Sequence, residues 1–153
     1  GDETKWVLFV SAKHENPVKR PALAKAAFEY CKSSIPTATF MPVTNVSRES
    51  IPLWFNAADV LLLTSEYEGW PNVVKEALAC NTPFVSTDVS DLKELAFKTR
   101  TCKVVEASPE SLGRALIKTL TSEIREDFRH LIVHMSPEAN ALKLKELYQN
   151  ILG

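Results

Sequence analysis

The feature that most restricts this chain is the apolar run Val60-Leu61-Leu62-Leu63, followed after a short turn by a second apolar set spaced for a helix. A run without polar alternation describes a strand covered on both faces, as parallel strands are in α/β sheets. Next comes Ser65-Glu66-Tyr67-Glu68-Gly69-Trp70-Pro71-Asn72-Val73-Val74-Lys75-Glu76-Ala77. Val73, Val74, Ala77 and Leu78 recur at helical period, and Pro71 suits a first helical turn, where a missing N–H costs nothing. Asn81 can take the left-handed position at the helix end. The stretch therefore reads as strand, sharp turn, helix. Such a turn aims the N–H groups of Gly69, Trp70 and Asn72 out of the carboxyl end of a strand, where open α/β sheets bind ligands. Glu68 on the turn and Glu76, one helical turn beyond Asn72, bracket those donors. An anion held on the amides would have a carboxylate on each side. That suits a polyhydroxylated ligand carrying phosphate, since the amides and dipole take the charge and the carboxylates accept from hydroxyls.

The rest of the chain supplies matching units. Trp6–Val10, Thr37–Met41, Pro83–Ser86 and Cys102–Val105 have strand character. Leu23, Ala26, Ala27, Tyr30 and Cys31 follow the spacing of an amphipathic helix, as do Ile51, Trp54, Phe55 and Ala58, for which Ser47 or Ser50 is a cap. A short helix carrying Glu94 follows the fourth strand. Start signals at Ser108-Pro109-Glu110, Ser122-Glu123 and Ser136-Pro137-Glu138 predict three closing helices. Their inward residues are Leu112, Leu116 and Leu120; then Ile124, Phe128, Leu131 and Ile132; then Leu144, Leu147, Tyr148 and Ile151. Alternating strand and helix implies a doubly wound, Rossmann-like, three-layer α/β/α domain with a mostly parallel sheet and right-handed crossovers, covering residues 1–153. The loop after the first strand carries Lys13, His14, Lys19 and Arg20, a basic cluster at a strand's carboxyl end.

Composition narrows the function. The chain is 45% hydrophobic and 24% charged, enough apolar material for one globular core. Its 18 basic and 19 acidic residues leave a formal charge of −1, unlike the basic footprint of a nucleic-acid binder. No stretch has the length and apolarity of a membrane span, and no signal-peptide pattern opens the chain. Cys31, Cys80 and Cys102 lack metal-ligand spacing and are odd in number, so they read as reduced thiols of a cytoplasmic protein. His130 and His134 stand at i and i+4 without a third ligand, which favours a structural or surface role.

Taken together, Ala57-Ala58-Asp59-Val60-Leu61-Leu62-Leu63-Thr64-Ser65, Glu68-Gly69-Trp70-Pro71-Asn72-Val73-Val74-Lys75-Glu76-Ala77-Leu78-Ala79-Cys80, Thr82-Pro83 and Thr87-Asp88-Val89 resemble a known family. It is the retaining glycosyltransferases of family 4, specifically the C-terminal, donor-binding half of their GT-B fold. Glu68 and Glu76 stand at that family's E-x7-E spacing. The resemblance implies that Glu68 contacts the transferred sugar, as the catalytic carboxylate, with the turn amides of Gly69, Trp70 and Asn72 beside it. It implies that Glu76 accepts from the ribose hydroxyls of a nucleotide-sugar donor, and that a loop lysine neutralises the diphosphate. Lys19 matches that lysine; Lys13 could serve through a one-residue slip, because Ser11-Ala12 occupy the family's Gly-Arg places. Ser90-Asp91 stand where Gly-Gly is usual and Asn81 where Gly is usual, and Ser11 and Ser90 are expected to narrow the approach of backbone to phosphate.

The resemblance further implies hexosyl transfer, as in polysaccharide biosynthesis, without metal or other cofactor. It also implies an N-terminal acceptor domain outside this chain, and a full-length enzyme that could touch a membrane peripherally. The last helix, Pro137 to Leu152, would return toward that domain. Plainer readings stand beside these. Glu68 and Glu76 could be solvated carboxylates complementing a helix dipole, and Trp70 could anchor the helix start as well as pack on a sugar. A non-catalytic nucleotide-binding module and half of a nucleotide-sugar epimerase are the alternatives. A dinucleotide oxidoreductase is disfavoured because no G-x-G-x-x-G follows the first strand.

Overall fold

The computed structural model describes residues 4–11, 17–44, 47, 49–67, 72–132 and 149. Five strands form one sheet: β1 (Lys5–Ser11), β2 (Ala38–Thr44), β3 (Val60–Leu63), β4 (Phe84–Thr87) and β5 (Lys103–Val105). All pairs are parallel and the spatial order is β2-β1-β3-β4-β5. The helices are α1 (Pro21–Ser34), α2 (Ile51–Ala57), α3 (Asn72–Ala79), α4 (Leu92–Phe97), α5 (Pro109–Thr121) and α6 (Arg129–Ile132).

Side-chain alternation along the strands divides the core in two. Val7, Phe9, Val60, Leu62 and Val85 face α1 and α5, where they meet Ala24, Ala27, Phe28, Leu112 and Leu116. Leu8, Leu61, Leu63 and Phe84 face the other way, onto Phe55 of α2, Val74 and Leu78 of α3, and Leu92 and Leu95 of α4. Right-handed crossovers require this split: the chain turns one way from β1 to β2 and the opposite way from β2 through β3 to β5. β3 is buried along its whole length, as its unbroken apolar run implies.

Several local expectations shift. On α1 the buried stripe is Ala24, Ala27, Phe28 and Cys31, with Leu23, Ala26 and Tyr30 only half-buried. The helix is turned so that Phe28 stacks on Phe40 at 5.2 Å between ring centroids. It lies so close to α5 that a Cβ at Gly113 would fall 2.5 Å from the Tyr30 ring. On α2, Phe55 is buried while Trp54 is exposed. Ser50 precedes that helix without capping it; its hydroxyl instead donates to the Ser47 carbonyl at 2.9 Å. Ser108 does cap α5, accepting from the Ser111 amide at 3.1 Å.

The largest correction is at 122–128, expected as part of a helix and found without helical structure; only Arg129–Ile132 turns helically. Ile124 is exposed and Phe128 is buried. The cause is a set of distant hydrogen-bond partners, donors to Glu126 and an acceptor for Phe128, that hold the segment away from helical pairing. The Glu126 carboxylate takes the amides of Arg100 (2.9 Å) and Thr101 (2.7 Å) and the Thr101 hydroxyl (2.6 Å), while the Phe128 amide donates to Asn81 Oδ1 at 3.0 Å. The helix expected over Pro137 to Leu152 lies outside the described residues, apart from the single position Gln149.

Candidate functional site

With every strand parallel, all carboxyl ends lie along one edge of the sheet. β1 sits between β2 and β3, and the connections leaving the carboxyl ends of β1 and β3 diverge to opposite faces, α1 to one and α3 to the other. Ligands of open α/β sheets bind at such a divergence. The loop after β1 carries Lys19, and the turn after β3 leads to Asn72 and Glu76 on α3. Two stretches far apart in sequence, both expected to carry site residues, therefore lie at the same edge of the sheet.

A dense set of contacts joins those loops. Arg20 precedes α1 with φ 48° and ψ 62°, in the left-handed region. Its Nε donates to the Thr64 carbonyl at 2.9 Å and its Nη2 to the Ser65 carbonyl at 3.0 Å. The Thr64 hydroxyl lies between the carbonyls of Lys19 and Arg20, 2.5 and 3.1 Å away, and shares its one proton between them. The Glu66 amide donates to the Val18 carbonyl at 2.8 Å. From β4, the Thr87 hydroxyl donates to the same Ser65 carbonyl at 2.7 Å. Lys19, half-buried, is thus fixed beside the end of β3.

On α3, Val74, Ala77 and Leu78 are buried, Asn72 is exposed and Glu76 is half-buried. Glu76 lies one turn beyond Asn72, at the flank of the helix and not on a fully exposed face. Its charge reaches Cys80: burial first, then the Glu76 carboxylate, raises that thiol above its ordinary range. Cys31 and Cys102 are pushed up to about 11 by burial, so none of the thiols is prepared as a nucleophile. Asn81 takes the left-handed conformation, φ 57°, as its place after the helix requires.

Ser90 alters one expectation. Its φ of 52° shows the backbone already in the conformation a glycine would supply, so the serine does not redirect the chain after β4. A non-glycine residue there costs about 1–2 kcal/mol, against about 0.4–1 kcal/mol for the extra unfolded-state freedom that glycine brings. Ser90→Gly is therefore expected to raise the urea midpoint modestly and to leave ligand affinity unchanged, not to cost stability. A lowered midpoint would show that the serine side chain holds the loop.

Among the expected site residues, Lys19 lies in the loop after β1, and Asn72 and Glu76 lie on α3 after β3; Lys13, Glu68, Gly69 and Trp70 lie outside the described residues, as do His14 and His134. Sequence reasoning missed the parts played by Arg20, Thr64, Thr87 and the Asn81 carboxamide. Only Arg20 left a signal, its place in the basic loop, and that signal suggested a solvated or ligand-facing charge.

A stretch of 61 residues, 40% of this chain, is 39% identical to D-inositol 3-phosphate glycosyltransferase of Pseudarthrobacter chlorophenolicus, and covers 14% of that enzyme. Among solved structures, a mutant of S. aureus TarM in complex with Fondaparinux, alpha-GlcNAc-glycerol and UDP superposes on 95% of the chain with a TM-score of 0.75 at 15% identity. Sucrose-phosphate synthase from Thermosynechococcus elongatus superposes on 99% with a TM-score of 0.64 at 21% identity. The chain spans 35% and 46% of those two proteins. The C-terminal domain of a glycosyl transferase group 1 family protein, LpcC, from Francisella tularensis superposes on 84% of this chain and over 84% of its own length, with a TM-score of 0.61 at 14% identity. These likenesses establish the fold as that of a glycosyltransferase C-terminal domain. Residues 5–122 match the family of group 1 glycosyl transferases, and the chain belongs to that family.

Proposed function

We propose that this chain is the donor-binding domain of a retaining glycosyltransferase of family 4, taking a nucleotide-diphosphate sugar and passing its sugar to an acceptor held by an N-terminal domain. The observation that carries this reading is the strand order. It brings Lys19, in the loop after β1, and the start of α3 after β3, remote in sequence, to the same edge of the sheet, which supports a shared site there. The roles then follow from chemistry. Lys19, with Lys13 on the same loop, and the amides of Gly69, Trp70 and Asn72 at the start of α3 take the negative charge that builds on the departing diphosphate. Glu76 accepts from ribose hydroxyls, and Glu68 reads the sugar. No metal is required where a lysine and a helix start neutralise the leaving group. The protein acts in the cytoplasm, where nucleotide sugars are made; no helix among the described residues is long and apolar enough to cross a membrane.

Ser90 and Asn81, standing where the family has glycine, would favour the non-catalytic module, but both already hold the left-handed backbone a glycine would supply, which removes part of that support. Catalysis needs donor and acceptor held together in attack geometry, so this domain alone is expected to bind without transferring. The test is Glu76→Ala, with nucleoside diphosphate binding followed by calorimetry. Loss of a charged acceptor is expected to weaken binding by about 1.5–3 kcal/mol, because hydrogen bonds to ionised groups are the strong ones. Equal affinity for both proteins would sink the ribose assignment.

A further inference from the structure

We propose that Arg20 is a positioning residue of the donor site, holding the two sides of the crevice in register through backbone carbonyls and making no contact with the diphosphate. The inference rests on the donor-site reading above and adds a residue to which that reading gives no part. Arg20 stands next to Lys19 in a basic loop, and by charge alone it would be counted among the phosphate ligands. Its geometry assigns it otherwise. The guanidinium points Nε and Nη2 at consecutive carbonyls, Thr64 at 2.9 Å and Ser65 at 3.0 Å, so its planar fork is engaged by the end of β3.

The same point collects the neighbouring strands. Ser65 O also receives the Thr87 hydroxyl from β4 at 2.7 Å, and the Glu66 amide returns to Val18 at 2.8 Å. The left-handed backbone of Arg20 lets its side chain turn back across the loop, a strained conformation that these contacts must offset. Lys19 directly precedes this anchor, and the turn bearing Glu68 begins just after Ser65. Releasing Arg20 therefore shifts the phosphate side and the sugar side together. A lysine cannot replace it, because a point charge does not bridge adjacent carbonyls as a fork does.

The experiment compares the 153-residue chain with Arg20→Gly, whose backbone fits φ 48°, with Arg20→Lys, which keeps the charge, and with Lys19→Ala. Amide exchange is measured by NMR without nucleotide, using the Leu62 amide in the central strand as the control for intact folding. Binding of UDP and of GDP is measured across a salt series. Both Arg20 variants are expected to speed exchange at the Glu66 amide, and to weaken binding by about tenfold or more while keeping the wild-type salt dependence. Lys19→Ala is expected to flatten the salt dependence, as removal of a direct phosphate contact must, and to leave Glu66 exchange unchanged. Wild-type exchange and affinity in Arg20→Lys would overturn the proposal, as would a flattened salt dependence in Arg20→Gly. If the wild-type chain binds neither UDP nor GDP, the donor reading fails, and Glu66 exchange alone then decides whether Arg20 holds the two loops.

Discussion

Phe128→Ala is expected to cost the domain about 3–5 kcal/mol, the range for emptying a buried aromatic position. Phe128 is 1% exposed and shares the core under the sheet with Phe55, Val74, Leu78 and Leu92. The cost depends on whether the surroundings can close over the hole, and here they are held open. The Phe128 amide is fixed to Asn81, and Glu126 fixes the chain two residues earlier to Arg100 and Thr101. The loss is a large part of the total stability of a domain this size, about 5–15 kcal/mol. Urea unfolding would show it as a lower midpoint with an unchanged slope. Ile124→Ala is the internal control. A helix over this segment would turn both residues inward and make both substitutions costly; with Ile124 exposed, its change is expected to stay within about 0.5 kcal/mol. Two equal losses would restore the helix.

The second large effect belongs to Glu68. In the full-length enzyme, Glu68→Ala is expected to lower turnover on the order of a hundredfold, the scale seen when a preorganised electrostatic contact is removed. As the bond to the leaving phosphate stretches, positive charge builds on the sugar, and its hydroxyls become better donors to a carboxylate. That interaction strengthens only in the transition state, so its loss falls on turnover and not on ground-state binding. Affinity for the nucleoside diphosphate is expected to stay near wild type, since the product lacks the sugar. Steady-state kinetics with calorimetry separate these quantities. A parallel fall in both would mean that Glu68 builds the turn instead of reading the donor, and the assignment would pass to the amides around it.

The positions of Lys19 after β1 and of Glu76 on α3 were legible for a local reason. Strand and helix signals on either side of each residue are written in the chain at fixed spacing. The roles of Arg20 and Asn81 were not legible. Their partners lie 44 to 47 positions away, and each is defined by a hydrogen bond that no local pattern records. Asn81 looked like a helix stop and is one; that its carboxamide also holds Phe128 depends on where the chain returns after α5.

The sequence by itself determined the elements whose signal is local. The β3 run names a strand covered on both faces, and Ser108-Pro109-Glu110 starts α5 because the serine hydroxyl can reach an amide three residues on. It also determined the order of strand and helix, and with it an α/β sheet with right-handed crossovers. Tertiary structure alone decided the spatial order of the strands, and therefore that β1 and β3 are neighbours whose outgoing connections part to opposite faces. It decided which stripe of α1 faces inward, since the close approach at Gly113 and the Phe28–Phe40 stack choose among similar apolar faces. It decided that residues 122–128 leave the helical state, because Glu126 and the Phe128 amide gain partners from other elements that a helix would withhold. Periodicity reports that a face is apolar; which neighbour covers it, and how far the chain bends to meet that neighbour, depends on contacts between residues remote in sequence.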